Sequence, residues 1–472
     1  MLLSPFNDKI SKKILFLSKP VIFSNLSRSM MGIVDMIMIG GLGSAYVAAA
    51  GMGSNLFWFA IAGGGFSLMS AVQTITARRL GQGAYSECSA VLYNGLLIGL
   101  VYSIITTSLC TYYVTEIVKL VLDDHLVIQQ CISYAFYGFI SVGFTVCTFI
   151  LRGFFTGIEK TYMQFRVTLL ANLLNIYLNA ALIYGSNNIY NYFSSFDNIF
   201  IINLHYLWTW YEFPDMKIEG AGIGTLVASI YMFLHYSYYL FDKNIRIKFN
   251  SLKPNLNFKM IISQIKLAFP ISIDELSGMM GFVIFFKLIG KLGTEELATC
   301  VIVFRILHTA FMPGVGIGQA CQTLVSKFLG KQNIDSAVIT IKDSIRHAII
   351  IMGSIACIFI AFPELLLSLF TSDINIINKG NQVLVFCSWL LIIDAIGIIL
   401  YFTLMGAGDT KVLPKLQIIK TWLVLIPLTY LFLFYFEWGV LGAWLALGCE
   451  LIVITILCGA RLKQGKWKKI QV

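Results

Sequence analysis

Ala71-Val72-Gln73-Thr74-Ile75-Thr76-Ala77-Arg78-Arg79-Leu80-Gly81 is answered 249 residues later by Ala320-Cys321-Gln322-Thr323-Leu324-Val325-Ser326-Lys327-Phe328-Leu329-Gly330. The match extends outward on both sides. Pro20 pairs with Pro270 and Leu42-Gly43 with Leu292-Gly293 at an offset of 250, and Gly157-Ile158-Glu159-Lys160-Thr161 pairs with Gly406-Ala407-Gly408-Asp409-Thr410 at 249. Gly220-Ala221 pairs with Gly442-Ala443 at 222, so the fall from 249 to 222 places 27 extra residues in the first half, between Gly185 and Lys217. An offset held over half a chain is the mark of two fused repeats, a recurrent plan among membrane transporters.

Hydrophobic residues make up 58% of the 472, charged ones 12%, and the mean hydropathy is +0.80. That balance excludes an ordinary soluble domain. Apolar windows of about 20 residues, enough to cross a bilayer core as helix, recur twelve times: 20–40, 47–77, 90–114, 131–151, 167–184 and 218–240, then 269–289, 298–324, 348–370, 383–404, 416–434 and 440–458. They do not alternate as barrel strands would. The fold expected is therefore an all-α integral membrane protein with twelve transmembrane helices in two pseudo-symmetric six-helix bundles. Six spans per half put both halves in the membrane the same way round. The divisions are an N-lobe over 1–242 with an outer insert at 186–216, a basic linker over 243–266, a C-lobe over 267–460 and a basic tail over 461–472.

The net charge of +10 raises the question of nucleic acid, and the placement of the cations answers it. With the N-terminus taken as cytoplasmic, 27 Lys and Arg fall on inner segments, among them Arg152 and Lys420, against five outside. This is the positive-inside pattern. It predicts a multi-pass inner-membrane protein with both termini in the cytosol, attracted to anionic lipid and not to nucleic acid. No cleavable leader pattern precedes the first span. The ten cysteines are scattered without CxxC spacing and read as small apolar residues. The insert is dense in Tyr, Trp and Phe, as suits a segment at headgroup level.

Five acids fall well inside the spans: Asp35, Asp274, Glu275, Asp394 and Glu450. An ionised carboxyl at mid-bilayer costs at least about 2.5 kcal/mol, so such groups face water-filled cavities and mark ion or substrate paths. Asp274 and Glu275 follow Pro270, which frees a backbone carbonyl in span 7. Asn172, Asn175 and Asn179 share one helical face, and Asn175 and Asn179 beside Asp35 would form an oxygen-rich pocket for a proton acceptor or for sodium, the one metal ion in prospect. Arg305 is a cation within span 8, with Asp274, Glu275 or Asp394 as candidate partners. Trp58, Phe285 and Phe304, with Arg305, are candidates for the substrate cavity, which Asp35, Glu275 and Asp394 are expected to line as well. The five histidines form no catalytic or metal-ligand spacing, and no Walker loop is present. The chain is thus read as a non-enzyme without a bound cofactor, driven by an ion gradient.

Pro20 with Asp35 and Gly40-Gly41-Leu42-Gly43, the Gln-Thr…Leu-Gly runs, Asn172-Leu173-Leu174-Asn175-Ile176-Tyr177-Leu178-Asn179, Phe311-Met312-Pro313-Gly314-Val315-Gly316-Ile317-Gly318-Gln319-Ala320, Asp394-Ala395 and Gly406-Ala407-Gly408-Asp409-Thr410 resemble the multidrug and toxic compound extrusion (MATE) family. The resemblance runs from about Pro20 to Cys458. It implies a V-shaped, monomeric pair of bundles exporting organic cations against protons or sodium, with Asp35 and Asp394 as the N-lobe and C-lobe carboxylates. Two departures stand out. Asparagine occupies 179, where the family usually has aspartate, and Gly278 stands where many members have the span-7 glutamate, leaving Asp274 or Glu275 to serve from a shifted position. A lipid-linked-precursor flippase of the same superfamily, or an exporter of one metabolite, is the alternative. The charge pattern predicts that a labelling reagent confined to the cytosol reaches a cysteine placed at Lys253; reaction only from outside would overturn the two-lobe topology.

Overall fold

The computed structural model describes residues 6–195 and 203–472. Among the described residues twelve helices are long and apolar enough to cross a membrane. They are α1 (Asp8–Gly40), α2 (Ser44–Gln82), α3 (Tyr85–Tyr112), α4 (His125–Gly157), α5 (Tyr162–Ser194), α6 (Lys217–Tyr239), α7 (Phe258–Gly290), α8 (Thr294–Gly330), α9 (Ile334–Ala361), α10 (Ile374–Ala407), α11 (Thr410–Tyr435) and α12 (Gly439–Lys463). No strand occurs among the described residues. Helix is the form in which each span satisfies its own backbone groups in lipid, and side-chain caps start several of them: Asn7 for α1, Asp124 for α4, Asn257 for α7, Asn333 for α9 and Asp373 for α10.

Two cores form, one in each half. The central helix of the first is α4, packed on α2, α3 and α6; its repeat counterpart α10 packs on α8, α9 and α12. The first helix of each half also leans across to the other. Ile14 and Leu17 of α1 belong to the second core, and Met260, Leu267 and Ala268 of α7 to the first. Close approach needs small residues: a Cβ at Gly316 of α8 would collide with Ile22 of α1. On the opposite side Ser272 of α7 donates to the Gly63 carbonyl, 2.5 Å away, where α2 passes through the π-helical turn Ala62–Phe66.

The repeated motif itself is the seam. Gln73 Nε2 donates to the Gln319 carbonyl and Thr323 Oγ1, each at 2.9 Å. Gln322 Nε2 donates to the Ser70 carbonyl at 3.2 Å, to Ser70 Oγ at 2.7 Å and to Thr74 Oγ1 at 3.0 Å. Ser70 and Gln319, like Thr74 and Thr323, stand 249 apart, so the two glutamines make one and the same reach in opposite directions. Gly81 sits against the Lys327 carbonyl and Gly330 against the Arg78 carbonyl, again at the repeat offset.

Next to the glutamines each lobe grips the turn that ends the other lobe's central helix. Arg78 donates to the Ala407 carbonyl at 3.1 Å and the Ile470 carbonyl at 3.1 Å. Lys327 reaches Glu159 at 2.8 Å, and Lys13 reaches it at 2.7 Å. Glu159 has φ +64°, and its repeat counterpart Gly408 has φ +83°. A left-handed conformation suits glycine and costs another residue about 1–2 kcal/mol; the carboxylate held between two ammonium groups offsets that cost.

The outer insert folds back on α5. Gly185 breaks that helix at φ +73°, Trp208 donates to the Tyr177 carbonyl at 2.9 Å and stacks on the Tyr177 ring. Phe196 and Phe200, part of the aromatic insert in the sequence reading, lie outside the described residues.

Glu159 supplies a pH test of the seam. Burial pushes its carboxyl up, but the hydrogen bonds and charges of Lys13 and Lys327 together outweigh burial and hold it below its ordinary 4.5. A group depressed on folding adds stability that is complete above its unfolded value and lost as pH falls through the folded one. Glu159→Gln should therefore cost about 2 kcal/mol at neutral pH, and the difference in Tm from wild type should fade in acid, below about pH 4. A difference unchanged between pH 7 and pH 3 would refute the assignment.

Candidate substrate cavity and carboxylate sites

A cavity of about 560 Å³ lies between the lobes and ends at the seam, where Arg152 and Gln319 line it. Its C-lobe wall is acidic. Asp274 and Glu275 come from α7, Asp394 from α10 and Glu450 from α12. Lys420 comes from α11, whose π-helical stretch Ile418–Leu425 widens the helix at that point; such turns are frequent at functional sites. Lys420 Nζ meets Glu450 Oε1 at 3.1 Å, and Thr421 donates to the same oxygen at 3.0 Å. Asp274 accepts from the Tyr401 hydroxyl, and its Oδ1 is buried without a partner. Glu275 and Asp394, both half-buried, have neither a hydrogen bond nor an ion pair among the described residues.

The walls between are aromatic. Trp58 lies 6.3 Å from the Phe149 ring on the N-lobe side, and Phe304 lies 5.6 Å from Phe282 on the C-lobe side. Unpaired carboxylates beside ring faces are what a desolvated cation needs: negative potential and cation–π surface together.

Asp35 occupies a second, separate site within the N-lobe. Asn179 Nδ2 donates to Asp35 Oδ1 at 2.7 Å and to Asn175 Oδ1 at 3.2 Å, while Asn179 Oδ1 is buried without a partner. Gly224 of α6 leaves the room: a Cβ there would fall on that oxygen. Asn179 thus turns a donor toward Asp35, and a sodium ion there would require the amide to rotate.

Several expectations are corrected. Asp35 does not line the cavity that holds Glu275 and Asp394. Phe285, expected as a cavity aromatic, has no exposure and packs edge-on to Trp444 in the C-lobe core. Arg305, expected in the cavity and paired with Asp274, Glu275 or Asp394, is exposed and makes no ion pair among the described residues; the cation on the acidic wall is Lys420, paired with Glu450. Lys420 and Arg152, counted with the inner loops, line the cavity instead. Their signal was present in the sequence: Lys420 sits inside the apolar run Leu416-Gln417-Ile418-Ile419-Lys420-Thr421-Trp422, and Arg152 closes an apolar run at Leu151.

A family model described as MatE matches residues 20–181 and 270–431, one stretch in each half. A probable multidrug resistance protein NorM of Thermotoga maritima is 22% identical over 465 residues, with 98% of this chain and 94% of that protein covered. A multidrug resistance protein NorM of Vibrio cholerae is 22% identical over 469 residues, covering 96% and 95%. Among solved structures, a MOP superfamily transporter from Pyrococcus furiosus, described as having a binding pocket of reverse polarity, superposes with a TM-score of 0.85 at 19% identity, covering 98% of this chain and 97% of that one. An outward-facing multidrug resistance MATE transporter gives the same TM-score, identity and coverage. At that identity the likeness is one of fold.

Glu450 is 2% exposed, and stripping its partner leaves a buried charge uncompensated, which costs about 3–5 kcal/mol. Lys420→Met should lower Tm in detergent accordingly, and Glu450→Gln in the same chain should restore most of the loss. A Lys420→Met variant as stable as wild type would show that the pair is not desolvated.

Proposed function

This chain belongs to the MatE family, and from that premise we propose that it is a secondary active transporter that exports amphiphilic organic cations in exchange for protons. The observation that carries the reading is the pair of unpartnered carboxylates, Glu275 and Asp394, facing a cavity walled by Trp58 and Phe304. The multidrug resistance names of the relatives support efflux. Proton and cation compete for the same negative charge, since protonation removes the drug's partner. Exchange then follows from alternating access, with each occupant favouring one arrangement of the lobes. The Gln73–Gln322 seam holds the basic face shut in this arrangement.

Asp35 is proposed as the N-lobe proton site, with Asn175 and Asn179 as its neutral neighbours. The amide donor that Asn179 presents favours protons over sodium there. The same reading places the basic face in the cytosol, both termini inside, the protein in the inner membrane as a monomer among anionic lipids, with no resident cofactor and no nucleic-acid partner. The flippase alternative draws support from Arg28 and Arg152 on the N-lobe wall, but an anion alone would face the acidic C-lobe wall.

Purified protein in liposomes, with proton and sodium gradients imposed separately, tests this. Ethidium efflux should follow the proton gradient, and Asp35→Asn and Asp394→Asn should each abolish it while the protein remains folded. If both variants export like wild type, the coupling site lies elsewhere.

A further inference from the structure

The N-lobe wall of the cavity carries Arg28 and Arg152 and no carboxylate. Both guanidinium groups sit over one ring, Phe149, at 5.5 and 5.9 Å from its centroid. Arg152 is 4% exposed; its Nη2 donates to the neutral oxygens Asn25 Oδ1 at 3.2 Å and Gln319 Oε1 at 3.1 Å, and its Nε is buried without a partner. Arg28 makes no hydrogen bond and no ion pair among the described residues. Two cations side by side in a low-dielectric wall are costly unless an anion joins them, and none of the described residues supplies one. The opposite wall holds four acids against one lysine. The cavity is therefore polarised from one lobe to the other.

We propose that the transported molecule is dipolar: an aromatic amphiphile whose anionic group docks on Arg28 and Arg152 while its cationic centre faces Glu275 and Asp394. This rests on the reading of the cavity as the transport site and narrows its substrate class from cations to zwitterions. The guanidinium groups recognise carboxylate or phosphate oxygens through charge-assisted hydrogen bonds, and Phe149 and Trp58 take the apolar body. Moving such a molecule from one lobe's grip to the other's requires both walls to be present at once, which the closed seam ensures.

The test uses the full chain in lipid nanodiscs and two dyes with the same ring system: rhodamine B, a zwitterion, and its ethyl ester, a cation. Fluorescence anisotropy should show rhodamine B bound at least about tenfold more tightly, the size of one charge-assisted hydrogen bond. Arg28→Gln should bring the ratio of the two affinities toward one, and Arg152→Gln should do the same. Arg28→Gln is the decisive variant because it removes no hydrogen bond within the protein, whereas Arg152 also ties Gln319 of the seam. An ester bound and exported as well as the zwitterion, with the ratio unmoved in Arg28→Gln, overturns the dipolar assignment and leaves cation efflux standing. Failure to bind or export either dye, with no efflux across a panel of cations, overturns both. Displacement of the dye by farnesyl pyrophosphate more strongly than by unlabelled rhodamine B overturns it in favour of a purely anionic cargo.

Discussion

Everything in this arrangement depends on two buried glutamines, each donating hydrogen bonds to acceptors on the opposite lobe. Gln73 and Gln322 are each about 1% exposed, and each leaves its own helix to use acceptors on the other lobe. A buried amide without such partners costs about 1–3 kcal/mol. The two lobes can therefore meet here only in one register, the register set by the duplication. The same contact closes the floor of the cavity, so the geometry of the substrate site and the closure of the basic face are one structural fact. Opening that face requires all of these groups to find water or other partners together, which makes the seam a two-state element and not a graded one.

Duplication explains the symmetry of the seam, and divergence explains the asymmetry of the cavity. At one repeat position the N-lobe carries Glu159 and the C-lobe Gly408, and the lobes accordingly grip each other by an ion cluster on one side and by Arg78 on backbone carbonyls on the other. In the cavity the divergence goes further. The N-lobe contributes arginines, the C-lobe acids and Lys420. In a bilayer such charges persist only where they face water, each other or a ligand. Glu450 has Lys420, Asp274 has Tyr401, and Asp35 has Asn179. Among the described residues Glu275, Asp394, Arg28 and Arg152 lack an oppositely charged partner, and that remainder is the chemistry available to a substrate.

The sequence by itself determined the class of fold. Apolar windows of spanning length, repeated at a fixed offset, leave helical bundles as the solution, because backbone groups in lipid must be paired within each span. It also named the carboxylates, since Asp35, Asp274, Glu275 and Asp394 are conspicuous against an apolar background. Cations at the ends of spans were a different matter. Arg152 and Lys420 lie a few residues from loops, and a one-dimensional reading assigns such residues to the nearest aqueous face. Only the packing of α4 and the π-helical turn of α11 direct them into the cavity. Partnership was likewise invisible. Nothing along the chain says that the acidic wall takes its cation from Lys420, paired with Glu450, and not from Arg305, that Phe285 is core while Phe304 is wall, or that Asn179 offers Asp35 its amide hydrogens. The repeated Gln-Thr motif was legible as a repeat but not as a contact, because a periodic pattern records which residues are equivalent, whereas which of them touch is decided by how two bundles close on each other in three dimensions.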